Sequence, residues 1–147
     1  MKKYKFRLQK LLDMRIDREQ ESIMEFQKVR RESLKLEEKL DDLNKSYNKY
    51  KDISKINGVA EQKMARMYIN TLVNSIDKTK KELVSKKKLL ELKRKELKNR
   101  KIERKTVDIL KERGRASFIK EENRLEQKSN DEFALYGFIR MRREGYK

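Results

Sequence analysis

Apolar residues recur along the first third of the chain in alternating steps of three and four: Leu8 and Leu12, Phe26 and Val29, then Leu36, Leu40, Leu43, Tyr47 and Tyr50. That spacing puts them on one stripe of a helix and reads as a heptad seam. The same register places Arg15, Glu19 and Ser22 at seam positions and leaves Ile16 and Ile23 one residue off, which predicts a local shift of phase. Further on, Ile69, Ile76, Leu83, Leu90 and Leu97 repeat every seven residues without a break. Their companion positions open with Leu72 but continue as Thr79, Lys86, Lys93 and Arg100. The second helix therefore offers an apolar ridge one residue wide, flanked by Lys and Arg stems whose heads stay in water.

Little in the chain ends a helix, since it has no proline and four glycines. Asn57-Gly58 is the best turn, because both residues tolerate the positive φ of a helix C-terminus. The predicted fold is all-α: a long antiparallel two-helix coiled coil, or helical hairpin, with a C-terminal helical overhang. It forms one elongated domain over 1–147, with helix one at about 4–54, a turn at about 55–59 and helix two at about 60–141. At 1.5 Å per residue the arms reach roughly 75 Å and 120 Å. Folding back about Gly58 makes residue i face about 116 − i, so that Leu8 lies near Asp108 and everything beyond Gly114 overhangs. Phe118, Leu125, Phe133, Leu135, Tyr136, Phe138 and Ile139 then have no partner, which suggests a docking segment. Residues beyond Arg140 are expected to be disordered.

Composition narrows the chemistry. Of 147 residues 46% are charged, and 42 Lys+Arg against 25 Asp+Glu give a formal charge of +17. His and Cys are absent, which removes disulfides, thiolate or imidazole metal ligands, and nucleophile pairs built on histidine or cysteine. No cofactor and no metal site is expected. Asp131 and Glu132 are adjacent and so diverge on a helix, unlike a catalytic pair, and no phosphate-binding G-x-x-x-x-G-K-[ST] loop is present. The basic start lacks the apolar core of a signal peptide, and the run from Phe133 to Ile139 is too short to span a bilayer. These features predict a soluble protein that is not secreted by the general route and has little from which to build an active site.

The charge is uneven: residues 78–115 hold 17 basic and 6 acidic groups, a net +11, while residues 116–147 net only +1. A solvated helix face accounts for such a run. Nucleic acid is a second reading, unsupported by any stacking aromatic or recognised motif in the run. A membrane surface is a third, but insertion there calls for large apolar side chains opposite the basic face, and the narrow ridge is better used against helix one. An acidic protein partner is the fourth, with Lys93, Arg94, Arg100, Lys101, Arg104 and Lys105 as a candidate steering stretch.

The C-terminal string Glu122-Asn123-Arg124-Leu125-Glu126-Gln127-Lys128-Ser129-Asn130-Asp131-Glu132-Phe133-Ala134 resembles the E-N-R-x-x-Q-K-x-x-D-E-F-A signature of the FliJ family, the coiled-coil proteins of the flagellar type III export apparatus. The opening Phe6-Arg7-Leu8-Gln9-Lys10-Leu11-Leu12-Asp13, the hairpin near residue 58 and the Glu103-Arg104-Lys105 step are also similar to that family. The resemblance implies a coiled coil like the central stalk of rotary ATPases, binding and promoting the export ATPase hexamer. It also implies contact with the cytoplasmic domain of the export gate, escort of export chaperones, and a cytoplasmic location held peripherally at the inner membrane through those partners. It implies no specific nucleic acid and no direct membrane insertion. In the family an aromatic followed four residues later by leucine is implicated in gate contact, and Tyr68 and Leu72 match that position, tyrosine standing for phenylalanine. Arg124, Gln127, Asp131 and Phe133 are the candidate contacts with the ATPase ring. Two alternatives stay open: the equivalent stalk of a virulence type III secretion system, and a basic coiled-coil nucleic-acid-binding protein.

Overall fold

In the computed structural model, which describes residues 3–145, two helices carry nearly the whole chain: α1, Gln9–Tyr50, and α2, Val59–Glu144. A 3₁₀ turn at Ile53–Lys55 lies between them, and the described residues contain no strand. The long helices pack against each other antiparallel, which is the all-α hairpin that the heptads predict. The chain divides into two compact units, one formed by Asp17–Lys101 and the other by Met1–Ile16 with Ile102–Lys147. Residues 1, 2, 146 and 147, included in the expected domain, lie outside the described residues.

In the unit Asp17–Lys101 the α2 seam follows the seven-residue repeat, with Leu72, Ile76 and Thr79 of α2 buried and Val29 and Ser33 buried further along α1. Glu32 pairs with Lys86, Glu25 with Lys93 and Tyr50 with Tyr68, and in each pair the residue numbers add to 118. The register is therefore two residues from the expected 116 − i, and the turn explains why. Gly58 has φ of +112°, but it caps the start of α2, accepting a bond from the Gln62 amide on its carbonyl, and is not the C-terminal residue of α1. Helix α1 has already stopped at Tyr50 instead of continuing to about 54. Residues 51–58 fold back over the first turns of α2, held by Ser54 Oγ donating to Asp52 (2.6 Å) and Gln62 Nε2 donating to the Ile56 carbonyl (3.0 Å).

The predicted phase shift in α1 does not occur. Within this unit Glu19 and Ser22 are buried in the seam and Ile23 is only half-buried, so the heptad runs straight through polar residues. In the second unit Ile16 is likewise exposed and Arg15 pairs with Glu103. Long polar side chains reach a partner across a two-helix seam without the helix changing its winding, because such a seam stays open to water along both edges.

The second unit corrects the expected overhang. Residues 3–6 lie outside the helix. Tyr4 among them packs on Phe118, with ring centroids 5.7 Å apart, and Leu12 and Val107 are buried in the same unit. Phe118 is thus covered, and Gly114 sits inside an unbroken helix facing Tyr4. From residue 123 to 145 every residue is exposed, so the free helix begins near Asn123. The disorder expected beyond Arg140 is absent up to residue 145, since α2 runs to Glu144 and the Gly145 amide donates to the Met141 carbonyl (3.0 Å); Tyr146 and Lys147 lie outside the described residues.

Candidate interaction surfaces

Three groups of candidate residues are placed differently by the fold. Near the turn, Tyr68 stands at the seam edge, 45% exposed, its ring meeting Tyr50 edge-on at 5.3 Å. Leu72, one turn on, is 5% exposed and belongs to the core. Both still border a groove of about 380 Å³, where Leu43 and Ser46 of α1 form the opposite wall and Lys35, Lys39, Glu38 and Asp42 bring both signs of charge. Only the edge of Leu72 is presented there. Met64 and Met67 are more exposed than Tyr68 and lie within one turn of it. Sequence reasoning missed them, although Met64, four residues before Tyr68 and so on its face, was a usable signal.

The six candidate steering residues do not share a face. Lys93 Nζ donates to Glu25 of α1 at 2.7 Å and to Glu96 at 2.9 Å, leaving its side chain 22% exposed. Hydrogen bonding to Glu25 and then Glu96 raises the Lys93 pKa above its ordinary value, and the same Lys93 contact holds the Glu25 carboxyl low. Lys86 acts on Glu32 in the same way. Arg94 pairs with Glu91 at 3.0 Å, and Arg104 with Asp108 at 3.2 Å. Arg100 and Arg104 are half-buried, whereas Lys101 and Lys105 are exposed. Within Asp17–Lys101, Lys86 and Lys93 therefore occupy seam positions and bridge the helices, a role the seven-residue pattern of α2 had hinted at without naming the Glu partners.

On the free helix, Arg124 clasps Glu121 through two hydrogen bonds, 2.6 and 2.9 Å, which lower the Glu121 pKa. Gln127 and Asp131 follow at three and seven residues from Arg124, so these three share a face. Phe133, nine residues from Arg124, falls on the opposite side and is 73% exposed. Leu135, Tyr136, Phe138 and Met141 are also well exposed, so apolar surface surrounds this stretch instead of forming one stripe.

Among the described residues no group of three or more acidic, Cys or His side chains could hold a metal ion, and no helix is long and apolar enough to cross a membrane. What the geometry offers is extended surface for binding other molecules. No curated protein and no solved structure matches the chain. A family model described as flagellar FliJ protein does match, over residues 4–143, taking in the paired helices, the turn and most of the free C-terminal helix. The chain belongs to the FliJ family and is a flagellar export protein.

Proposed function

We propose that the protein is a non-enzymatic, central-stalk-like coiled coil of the export apparatus, which binds and promotes the export ATPase ring, links it to the cytoplasmic domain of the export gate and escorts export chaperones. The observation that carries this reading is the free helix from residue 123 to 145, which holds the family-like string and exposes Phe133 and its apolar neighbours on more than one side. Over residues 133–141 apolar side chains point to several sides, which suits enclosure by a partner more than a flat contact. Arg124, Gln127 and Asp131 would supply one polar face of that contact, and Phe133 the opposite apolar one. Tyr68, with the edge of Leu72, would meet the gate, and the cations of α2 would orient the protein on approach. The protein would act in the cytoplasm, reaching the inner-membrane apparatus through these partners.

Adding the full chain to its export ATPase at modest salt should raise ring assembly and turnover. A chain ending before Glu121 should lose that effect and keep its binding to the gate domain. Unchanged ATPase behaviour with the full chain would overturn the reading.

A further inference from the structure

Within the unit Asp17–Lys101, α2 turns one line of side chains away from α1. Lys81, Lys88, Lys95 and Lys98 lie along it, all exposed, and none of them pairs with a carboxylate among the described residues. The first three recur every seven residues, about 10.5 Å apart, and the line from Lys81 to Lys98 is about 25 Å long. Asp77 and Glu91 are the acids on this side, and Glu91 is already held by Arg94.

The fold divides the cations by pairing. Those nearer the seam are engaged: Lys86 with Glu32, Lys87 with Glu37, and Lys93 with Glu25 and Glu96. The free outward line is lysine alone. Lysine is depleted from protein interfaces, which favour aromatics, methionine and arginine, and the large apolar side chains exposed on this line are Val84 and Leu92, neither of them aromatic. Nucleic-acid surfaces use the bidentate arginine fork and stacking aromatics, and this line has neither. Hydrated ammonium groups in a straight row suit a planar, diffuse layer of negative charge, where each lysine contributes without a specific partner.

We propose that this lysine line is a contact for an anionic lipid bilayer, on which α2 lies by electrostatic adsorption. Adsorption of this kind needs no apolar face, so it coexists with an apolar ridge fully occupied by α1. It also stands independently of any contact with the ATPase or the gate.

The test is co-sedimentation of the full chain with phosphatidylcholine vesicles, with and without about one-third phosphatidylglycerol, at an ionic strength of about 0.1 M. The wild-type chain should bind the anionic vesicles and not the neutral ones. A variant carrying Lys81→Gln, Lys88→Gln, Lys95→Gln and Lys98→Gln should bind at least about a hundredfold more weakly. A control with the same charge loss, Lys5→Gln, Lys10→Gln, Lys28→Gln and Lys63→Gln, should stay within about tenfold of wild type. Glutamine keeps the helix propensity of lysine, so both variants should show the helical circular dichroism of the wild type. Equal weakening in the two variants would reduce the effect to net charge and overturn the proposal. So would an absence of binding to anionic vesicles, or tighter binding to duplex DNA at the same salt.

Discussion

The Tyr4 ring packs on Phe118 with centroids 5.7 Å apart and planes tilted by 44°, and Gly114, one turn earlier on α2, leaves the space that the Tyr4 hydroxyl occupies. A Cβ at Gly114 would meet that hydroxyl and lie 3.2 Å from the ring carbon bearing it. An aromatic pair of this kind is worth about 0.5–1.5 kcal/mol beyond its buried area. Tyr4→Ala should therefore speed hydrogen exchange at the first amides of α1 while leaving the turn region unchanged. Gly114→Ala adds up to about 1 kcal/mol of helix propensity but pushes the Tyr4 ring aside. Its stabilisation by urea unfolding should be smaller in the wild-type background than in the Tyr4→Ala background, and additivity of the two would show that the rings are not in contact in solution.

Ser22 sits in the α1 seam, 7% exposed, and its buried hydroxyl has no hydrogen-bond partner. A polar group left unpaired away from water costs about 1–3 kcal/mol, and alanine is also the better helix former. Ser22→Ala should stabilise the fold by roughly 1 kcal/mol, read as a higher urea midpoint at unchanged slope. A lower midpoint would mean that the hydroxyl is satisfied by water.

The Glu25–Lys93 and Glu32–Lys86 bridges set a pH dependence. Both carboxyls lie below their ordinary pKa of 4.5 in the folded chain, chiefly through the hydrogen bond from their lysine. Their contribution is complete above about pH 4.5 and is lost as pH falls through the lowered folded values. Lys93 lies above its ordinary 10.5, so its share is complete below that pH and is lost as pH rises through the raised value. The melting temperature should therefore hold level across neutral pH and fall on the acid side below about 4.5. Glu25→Gln should make the acid fall shallower, and added salt should do the same, since these groups face water. Lys93→Leu, an apolar residue at a seam position, should raise the melting temperature at neutral pH.

The unbroken Ile69 to Leu97 repeat made the hairpin legible, because a period of seven has one physical use in a helix: a partner along one stripe. The register was legible to within two residues, since Asn57-Gly58 marks the turn but not which helix it caps. Three features were not legible. Glu19 and Ser22 remain in the seam because a two-helix core tolerates polar residues that a globular core would expel. The residues before α1 bring Tyr4 onto Phe118 from outside the helix, and Lys3-Tyr4-Lys5-Phe6 has no pattern that announces it. The division of cations into bridging Lys86 and Lys93 and outward Lys88 and Lys95 depends on which carboxylates α1 presents, a matter of pairing across fifty to seventy residues.

The two candidate gate residues, Tyr68 and Leu72, should separate by experiment because they stand in different environments. Leu72 is among the five buried apolar side chains of the described residues, and truncating such a residue to alanine costs about 2–5 kcal/mol. In a core this narrow, Leu72→Ala should lower the melting temperature strongly, so weaker gate binding by that variant would reflect lost structure as much as lost contact. Tyr68 is half exposed, and its intramolecular contact is the edge of Tyr50, worth about 0.5–1.5 kcal/mol. Tyr68→Ala should melt within a few degrees of wild type, while Tyr68→Phe keeps the ring and removes the hydroxyl. If the aromatic face is what the gate reads, calorimetric titration with the gate domain below both melting transitions should show binding lost with alanine and kept with phenylalanine. Full binding by the alanine variant would move the contact to the neighbouring Met64 and Met67, whose greater exposure makes them the next side chains to truncate.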